Sequence, residues 1–372
     1  MLHPYAIDDP SEIYSPALLF YKDLVRQNIE RAVAMAGDPA RLRPHVKTHK
    51  TREITRMAIA AGIMKHKCAT IAEAELLAQS GAAEVFLAYA AVGPTCERLA
   101  RLAERYPNCS FAVACDSPEA ARLLSAVMAR LEQKVEVLLD LDVGMHRTGI
   151  AADSSAEKLY ELIVSLPGLR PGGFHVYDGH IHDEDANKRV TAVKLLLEPV
   201  LELRERLERR GIRVPRIVAG GTPTFPVYAA LNIPGLECSP GTCFLHDHNY
   251  RTRYRDLEGF TPAALLLTRV ISLPGEDRIT FDLGYKAVAS DPPAGKRLTM
   301  IDIPDCEAVL QSEEHLVVRS PAAKRFHLGD VAYAMPAHVC PTCAMHREAL
   351  VVEGGRVVER WEIVGRDRVI TI

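Results

Sequence analysis

At 372 residues the chain is longer than one hydrophobic core usually organises, so two domains are expected. Hydrophobic residues make up 48% and charged residues 25%, and the formal charge is −3, which gives no electrostatic footprint for nucleic acid or an anionic membrane surface. Nine scattered cysteines point to free thiols in a reducing, cytoplasmic setting, and the opening MLHPYAIDDPSEIYSP lacks the apolar core of a signal peptide.

From about residue 40, short apolar runs alternate with longer amphipathic stretches. In chain order the runs are LRPHVK, KHKCAT, EVFLAY, FAVACDS, VEVLLDLDVG, GGFHVYDG, RIVAGGT and LECSPGT. Between them lie helical patterns such as TREITRMAIAAG, IAEAELLAQSG, PEAARLLSAVMARLE and the long NKRVTAVKLLLEPVLELRERLERRG. Ala, Leu, Glu and Arg dominate these intervals and glycines close several of them, as helix ends prefer. Strands alternating with helices call for a parallel sheet, and eight such units predict a (β/α)8 TIM barrel over residues 20–258.

After about residue 260 the texture changes. ALLLTRVISLP, DRITFDLG, HLVVRS, DVAYAMP, EALVVEGGRVVERWEIVG and RVITI alternate apolar and polar residues between turn residues. This predicts a mainly antiparallel β domain over 259–372, with 1–19 adding to it and EGGR closing a hairpin. No apolar run is long enough to span a bilayer.

In a barrel of this kind the chemistry sits at the C-terminal strand ends. Those ends supply Lys47, Thr70, Tyr89, Asp116, Arg147, Tyr177, Gly220-Gly221-Thr222 and Gly241-Thr242. A lysine, an arginine, two tyrosines and two Gly-Thr turns describe a phosphate-bearing cofactor that needs an amine. Lys47 in RPHVKTHK can form an imine with an aldehyde if its surroundings lower its basicity; the alternative is a solvated surface lysine, the reading given to Lys50. AGGTPT and SPGT offer backbone N–H groups and hydroxyls to a phosphate, though Gly-Thr turns are also common in loops. Arg147 could instead form a structural salt bridge to Asp140 or Asp142.

Together RPHVKTHK, DLDVGMHRTG, HVYDGH, AGGTPT, SPGTCFLHDHNY, DLGYKA, SEEH and HVCPTCAMH resemble the D-threonine aldolase and D-serine dehydratase family, over nearly the whole chain and in the same order. The resemblance implies an alanine-racemase-like fold, with pyridoxal 5'-phosphate (PLP) as cofactor and Lys47 as its Schiff-base lysine. It implies that Arg147 and Tyr177 line the cofactor, and that Gly221, Thr222, Gly241 and Thr242 cradle the phosphate with Tyr250 nearby. An arginine facing the pyridine nitrogen would leave it unprotonated and make a second electrophile useful.

That electrophile is expected to be a divalent metal on His338 and Cys340, which match the family's metal pair. On an extended segment the H-x-C spacing would put both side chains on one face. Imidazole with thiolate suits zinc, manganese and magnesium being the alternatives. Cys343 makes a C-x-x-C with Cys340, so a redox pair or half a zinc ribbon also has to be weighed; there is no second C-x-x-C. D-Threonine aldolases commonly carry an aspartate where Cys340 stands, while D-serine dehydratases carry the cysteine.

His180 and His182 complete the candidates, as a base for the substrate's β-hydroxyl, as a further metal contact, or as exposed loop histidines. The expected activity is retro-aldol cleavage of D-β-hydroxy amino acids to glycine and an aldehyde. The alternative is dehydration, for instance of D-serine or D-3-hydroxyaspartate, to a 2-oxo acid and ammonia. Racemisation and non-catalytic PLP carriage are more remote. The expected partner is a small D-amino acid, with no nucleic acid and no membrane, and the oligomeric state stays open, a homodimer included.

Overall fold

The computed structural model describes residues 4–372 and divides them into two compact units interleaved in sequence. One comprises the stretch ending at Arg31, Thr48–Thr51 and Thr242–Arg366; the other comprises Ala32–Lys47, Arg52–Gly241 and Asp367–Ile372. Strand β1 (Ala17–Tyr21) runs directly into helix α1 (Lys22–Ala36).

The strand–helix alternation follows as α2 (Arg52–Ala60), β2 (Lys65–Cys68), α3 (Ile71–Gln79), β3 (Glu84–Ala90), α4 (Pro94–Arg105), β4 (Ser110–Cys115), α5 (Pro118–Arg130) and β5 (Val135–Leu141). It continues through α6 (Ser154–Ser165), β6 (Leu169–Val176), α7 (Ala186–Arg209), β7 (Ile217–Ala219), α8 (Phe225–Ala230) and β8 (Leu236–Cys238). Local sequence sets the helix starts. Thr70, Ser117, Asp153 and Asp185 accept N–H bonds at the N-caps of α3, α5, α6 and α7, and Pro94 and Pro118 occupy first positions, where no N–H is needed. Strands β2 to β8 pair in parallel, in sequence order.

The first barrel strand departs from expectation. Leu42–His45 forms only isolated bridges, Leu42 to Cys238 and His45 to Lys67. Arg43 N–H donates to the Cys238 carbonyl at 2.9 Å and Lys67 N–H to the Pro44 carbonyl at 2.8 Å. Pro44 has no N–H to offer, so no full ladder forms. The segment nevertheless bridges β8 and β2, the two edges of the sheet, and takes the eighth position of the ring. Lys47 lies just beyond, in a 3-10 turn over Val46–Thr48.

At the N-terminal ends of these strands charges interlock. Arg43 binds Glu84 and Glu237, each at 2.6 Å, and Lys65 reaches Glu237 at 2.6 Å. Arg216 joins Glu84 at 3.0 Å and Glu136 at 2.8 Å. Above this network Phe86, Ala112, Ala114, Leu138 and Val218 form an apolar layer.

The other unit contains α9 (His248–Arg253), β9 (Ala264–Ser272), β10 (Arg278–Phe281), β11 (Leu298–Met300), β12 (Glu307–Gln311), β13 (Leu316–Arg319), β14 (Val331–Pro336), α10 (Val339–Met345), β15 (Glu348–Glu353) and β16 (Arg356–Glu362). Its sheet runs β12-β13-β10-β9-β1-β15-β16, with β14 joining β9 to β11. All pairings are antiparallel except β1 with β15. Alternate residues Ala17, Leu19 and Tyr21 of β1 pack with Leu265, Leu267, Tyr333, Met335, Leu350 and Val352 on one face, while Leu18 and Phe20 are buried on the other. The EGGR hairpin forms as expected, Glu353 pairing with Arg356. Short β11 and β12 had no clear sequence signal, and RVITI forms no strand: its Thr371 instead binds Glu75 of α3. Among the described residues no helix is long and apolar enough to cross a membrane.

Candidate active site

Around Lys47 the histidines of RPHVKTHK serve the backbone. His45 Nδ1 accepts the Lys47 N–H at 3.2 Å and His49 Nδ1 accepts the Thr51 N–H at 3.2 Å, which fixes the tight turn that presents the lysine. Lys50 is half-buried with φ 54°, its carbonyl accepting Gly365 N–H, and so is not the solvated lysine expected from sequence. Among the described residues the Lys47 amine makes no hydrogen bond or ion pair.

The loop after β5 presents Arg147. Its ends are tied together by Asp142 N–H to the Ile150 carbonyl (2.9 Å) and Ile150 N–H to the Asp140 carbonyl (3.0 Å). Asp142 Oδ1 accepts the N–H groups of Gly144 and His146 inside it. Gly149, at φ 104°, must be glycine, because a Cβ there would lie 2.6 Å from Asp142 N. Arg147 forms no salt bridge to either aspartate. Asp142 is taken by His146 at 2.8 Å, and Asp140 by His175 at 2.6 Å and Thr148 at 2.8 Å. The Arg147 guanidinium instead stands 4.5 Å from the Tyr177 ring centroid, a cation–π contact. Gly179 lets that ring fold against the backbone, since a Cβ there would meet it at 2.5 Å.

A second lysine joins them that the strand-end reading missed. Lys67 is 3% exposed, and its Nζ lies 5.7 Å from the same Tyr177 ring centroid. Burial and the nearby Lys47 ammonium pull its basicity down to about 7. The expected residue of this strand, Thr70, caps α3, and Asp116 is engaged with Gly149 N–H at 2.9 Å. Tyr89 is 37% exposed. A period-2 reading of KHKCAT, with Lys65 and Lys67 on one face, could have found Lys67.

Of the two Gly-Thr turns, Thr222 Oγ1 accepts Gly241 N–H at 3.1 Å, which brings the loops after β7 and β8 together. Gly221 N–H bonds Thr224 Oγ1 at 3.2 Å, and Thr224 in turn bonds Asp178 at 3.1 Å. His180 and His182 line a surface cleft with Val143, Ile181, Asp183 and Lys188. His182 Nδ1 bonds the His180 carbonyl at 2.6 Å. Desolvation lowers the His180 basicity, so its imidazole is neutral near pH 7, and its buried Nδ1 lacks a partner among the described residues.

The other unit holds His338 and Cys340, though not on an extended segment. His338 is the N-cap of α10 and Cys340 lies in its first turn, where Pro341 is tolerated because no helical N–H is lost. Thr342 anchors the turn by donating to the His338 carbonyl at 2.8 Å and accepting Ala289 N–H at 3.0 Å. Cys340 Sγ lies 3.2 Å from Thr48 Oγ1 and 3.7 Å from Thr242 Oγ1, contacts suited to a thiolate. His338 Nδ1 meets Asp291 Oδ2 at 2.5 Å. Desolvation works against a charged His338, but Cys340 and Asp291 outweigh it and push the imidazole up to about 9. An imidazole that holds a proton between a thiol and a carboxylate occupies a place that suits a cation. Among the described residues no group of three or more His, Cys, Asp or Glu side chains is placed to hold a metal ion. Cys343 is fully buried with its thiol pushed well up, unlike a reactive redox thiol. Tyr250, on α9, stacks between His246 and Tyr254, with ring centroids 6.2 and 5.7 Å away.

Residues 22–243 match the family model for the alanine racemase N-terminal domain, and 263–352 match a second model, for a serine dehydratase domain. The chain is 28% identical over 330 residues to a D-threonine aldolase of Arthrobacter sp., covering 87% of this chain and 85% of that protein. To a D-threo-3-hydroxyaspartate dehydratase of Delftia sp. it is 24% identical over 377 residues, covering 94% and 96%. The crystal structure of D-threonine aldolase from Filomicrobium marinum matches with a TM-score of 0.89 at 25% identity, covering 98% of this chain and 99% of that one. The chain therefore belongs to the alanine-racemase-like PLP-dependent enzymes, within the family of the D-threonine aldolases and D-serine dehydratases.

Proposed function

We propose that this PLP-dependent lyase cleaves the Cα–Cβ bond of D-β-hydroxy amino acids by a retro-aldol reaction, with PLP on Lys47 and a divalent metal, zinc first, on His338 and Cys340. The observation that carries the cofactor assignment is the unpaired Lys47 amine bearing on a barrel interior that also holds Lys67, Arg147 and Tyr177. PLP supplies a carbon that the substrate's amine can attack and a ring that withdraws electrons from Cα. Tyr177, backed by Arg147 and Gly179, offers a fixed aromatic face, and the Gly-Thr loops after β7 and β8, joined by the Gly241 N–H to Thr222 bond, are those we assign to the phosphate. Asp291 holds Nδ1 of His338, and the imidazole also hydrogen-bonds Cys340, so the two side chains we assign to the metal face one another. A zinc ion there would suit the soft sulfur and would supply Lewis acidity to the reaction.

His180 is the base we assign to the β-hydroxyl, because its imidazole is neutral and can accept a proton. A base that removes this proton favours carbonyl formation and Cα–Cβ cleavage. Dehydration needs the same oxygen to leave, and Cys340 is the feature that favours that second reading. Incubation with D-threonine separates the two: acetaldehyde and glycine are expected, whereas 2-oxobutyrate and ammonia without acetaldehyde would replace cleavage by dehydration. L-Threonine is expected to be a poor substrate, and comparable rates on both enantiomers would contradict the assignment. His180→Ala is expected to lose about 10²–10⁴-fold in cleavage while retaining its PLP absorbance.

A further inference from the structure

Lys67 has no role in the chemistry so far, yet it is the more deeply buried of the two site lysines. On β2, Lys65 faces the charged floor and binds Glu237, while Lys67, two residues on, sits one step higher on the same face. Among the described residues its amine makes no hydrogen bond or ion pair. The charged and titratable groups that face it come from several elements: Lys47 from the 3-10 turn, Asp140 from β5, Arg147 from the following loop, and His175 and Asp178 from β6 and its loop. Both carboxylates favour its charged form, though neither forms an ion pair with it. Asp140 is engaged by His175 and Thr148; Asp178 is engaged by Thr224 and is itself pushed up to about 6 by burial. Burial and the neighbouring Lys47 outweigh the two carboxylates, so that Lys67 is present in part as the free base near neutral pH.

We propose that Lys67 is an acid–base residue of the site, whose Nζ takes the proton from the substrate's α-ammonium so that the substrate amine can displace Lys47 from the cofactor. The inference rests on the reading that Lys47 carries PLP. An N–H bond of the substrate breaks and one forms on Lys67. The freed lone pair attacks the carbon bonded to Lys47, one proton of the attacking amine passes to the Lys47 nitrogen, and Lys47 leaves as a neutral amine. Nothing is oxidised or reduced, and Lys67 returns its proton when the product amine departs by the reverse exchange. The incoming nitrogen must reach the atom that Lys47 holds, and Lys67 is a buried amine close by, on β2, which the segment leading to Lys47 bridges through His45.

The test mixes PLP-loaded enzyme rapidly with D-alanine, which has no β-hydroxyl to lose, and follows the exchange by circular dichroism of the cofactor band. In the wild type the rate is expected to rise with pH through a midpoint well below the ordinary lysine value of about 10.4, because burial lowers the Lys67 amine. In Lys67→Gln the band is expected to persist while exchange slows by about 10²–10⁴-fold, loses that midpoint, and is partly rescued by trimethylamine, which cannot itself form an imine. If Lys67→Gln fails to fold, competitive acetylation of wild-type holoenzyme reads the same property. A Lys67 reactivity midpoint below about 8 supports the role, and one near the ordinary lysine value of about 10.4 overturns it. A variant that keeps the band and exchanges at the wild-type rate overturns this inference alone. A wild type that shows no band with added PLP removes the Lys47 reading and this inference with it.

Discussion

Cys340 and His338 owe their character to neighbours far away in sequence. Thr48 and Thr242 place hydroxyls beside the sulfur, and Asp291 holds Nδ1 of the imidazole. A partner of this kind fixes which ring nitrogen faces a metal and typically changes affinity by about 10–100-fold. Asp291→Asn is therefore expected to weaken zinc binding by about that factor, measured by competition with a chromophoric chelator, while the PLP absorbance stays unchanged. Cys340→Ala is expected to lose the metal, and equal metal content in wild type and variant by elemental analysis would remove Cys340 from the site. The pair itself was legible from its spacing and its resemblance, but not the helix that carries it, and Asp291 belongs to no motif. Lys67 was hidden for a different reason. Reading only strand ends selected Thr70, whose hydroxyl is spent on the N-cap of α3, while the buried lysine lies inside the strand.

At the scale of elements, the barrel depends on charges as much as on its apolar layer. Arg43 is 1% exposed and is held by Glu84 and Glu237, with Lys65 sharing the second carboxylate. Removing one partner of such a buried pair strands a charge and costs about 3–5 kcal/mol. Glu237→Gln is expected to lose stability on that order in urea unfolding near pH 7, and a loss within experimental error would show that the network is dispensable. Burial acts to raise the Glu237 carboxyl, but Arg43 and Lys65 outweigh it and hold it below its ordinary value. Its contribution is thus present above the unfolded carboxyl value of about 4.3 and is lost as pH falls through the lower folded value, so the gap between wild type and variant should narrow in acid. Alternation of apolar runs with amphipathic helices revealed the parallel sheet. It could not reveal that LRPHVK makes bridges in place of a ladder, because that depends on the missing N–H of Pro44 and on partners as distant in sequence as Cys238 and Lys67.

At the scale of the whole molecule, the change of texture near residue 260 signalled the second sheet, and the EGGR turn set its last hairpin correctly. The compact units nevertheless interleave. Strand β1 inserts between β9 and β15, and the last residues, which look like a strand, lie with the parallel sheet and bind Glu75. Such long-range placements depend on tertiary pairing and leave no local pattern. The central assignment is the amine that holds PLP, and the barrel offers two. Borohydride reduction of the PLP-loaded enzyme, followed by proteolysis and mass spectrometry, fixes the cofactor to whichever lysine carries it. The pyridoxyl mass is expected on the peptide containing Lys47, with Lys67 unmodified; a label on Lys67, or on neither lysine, would contradict the assignment.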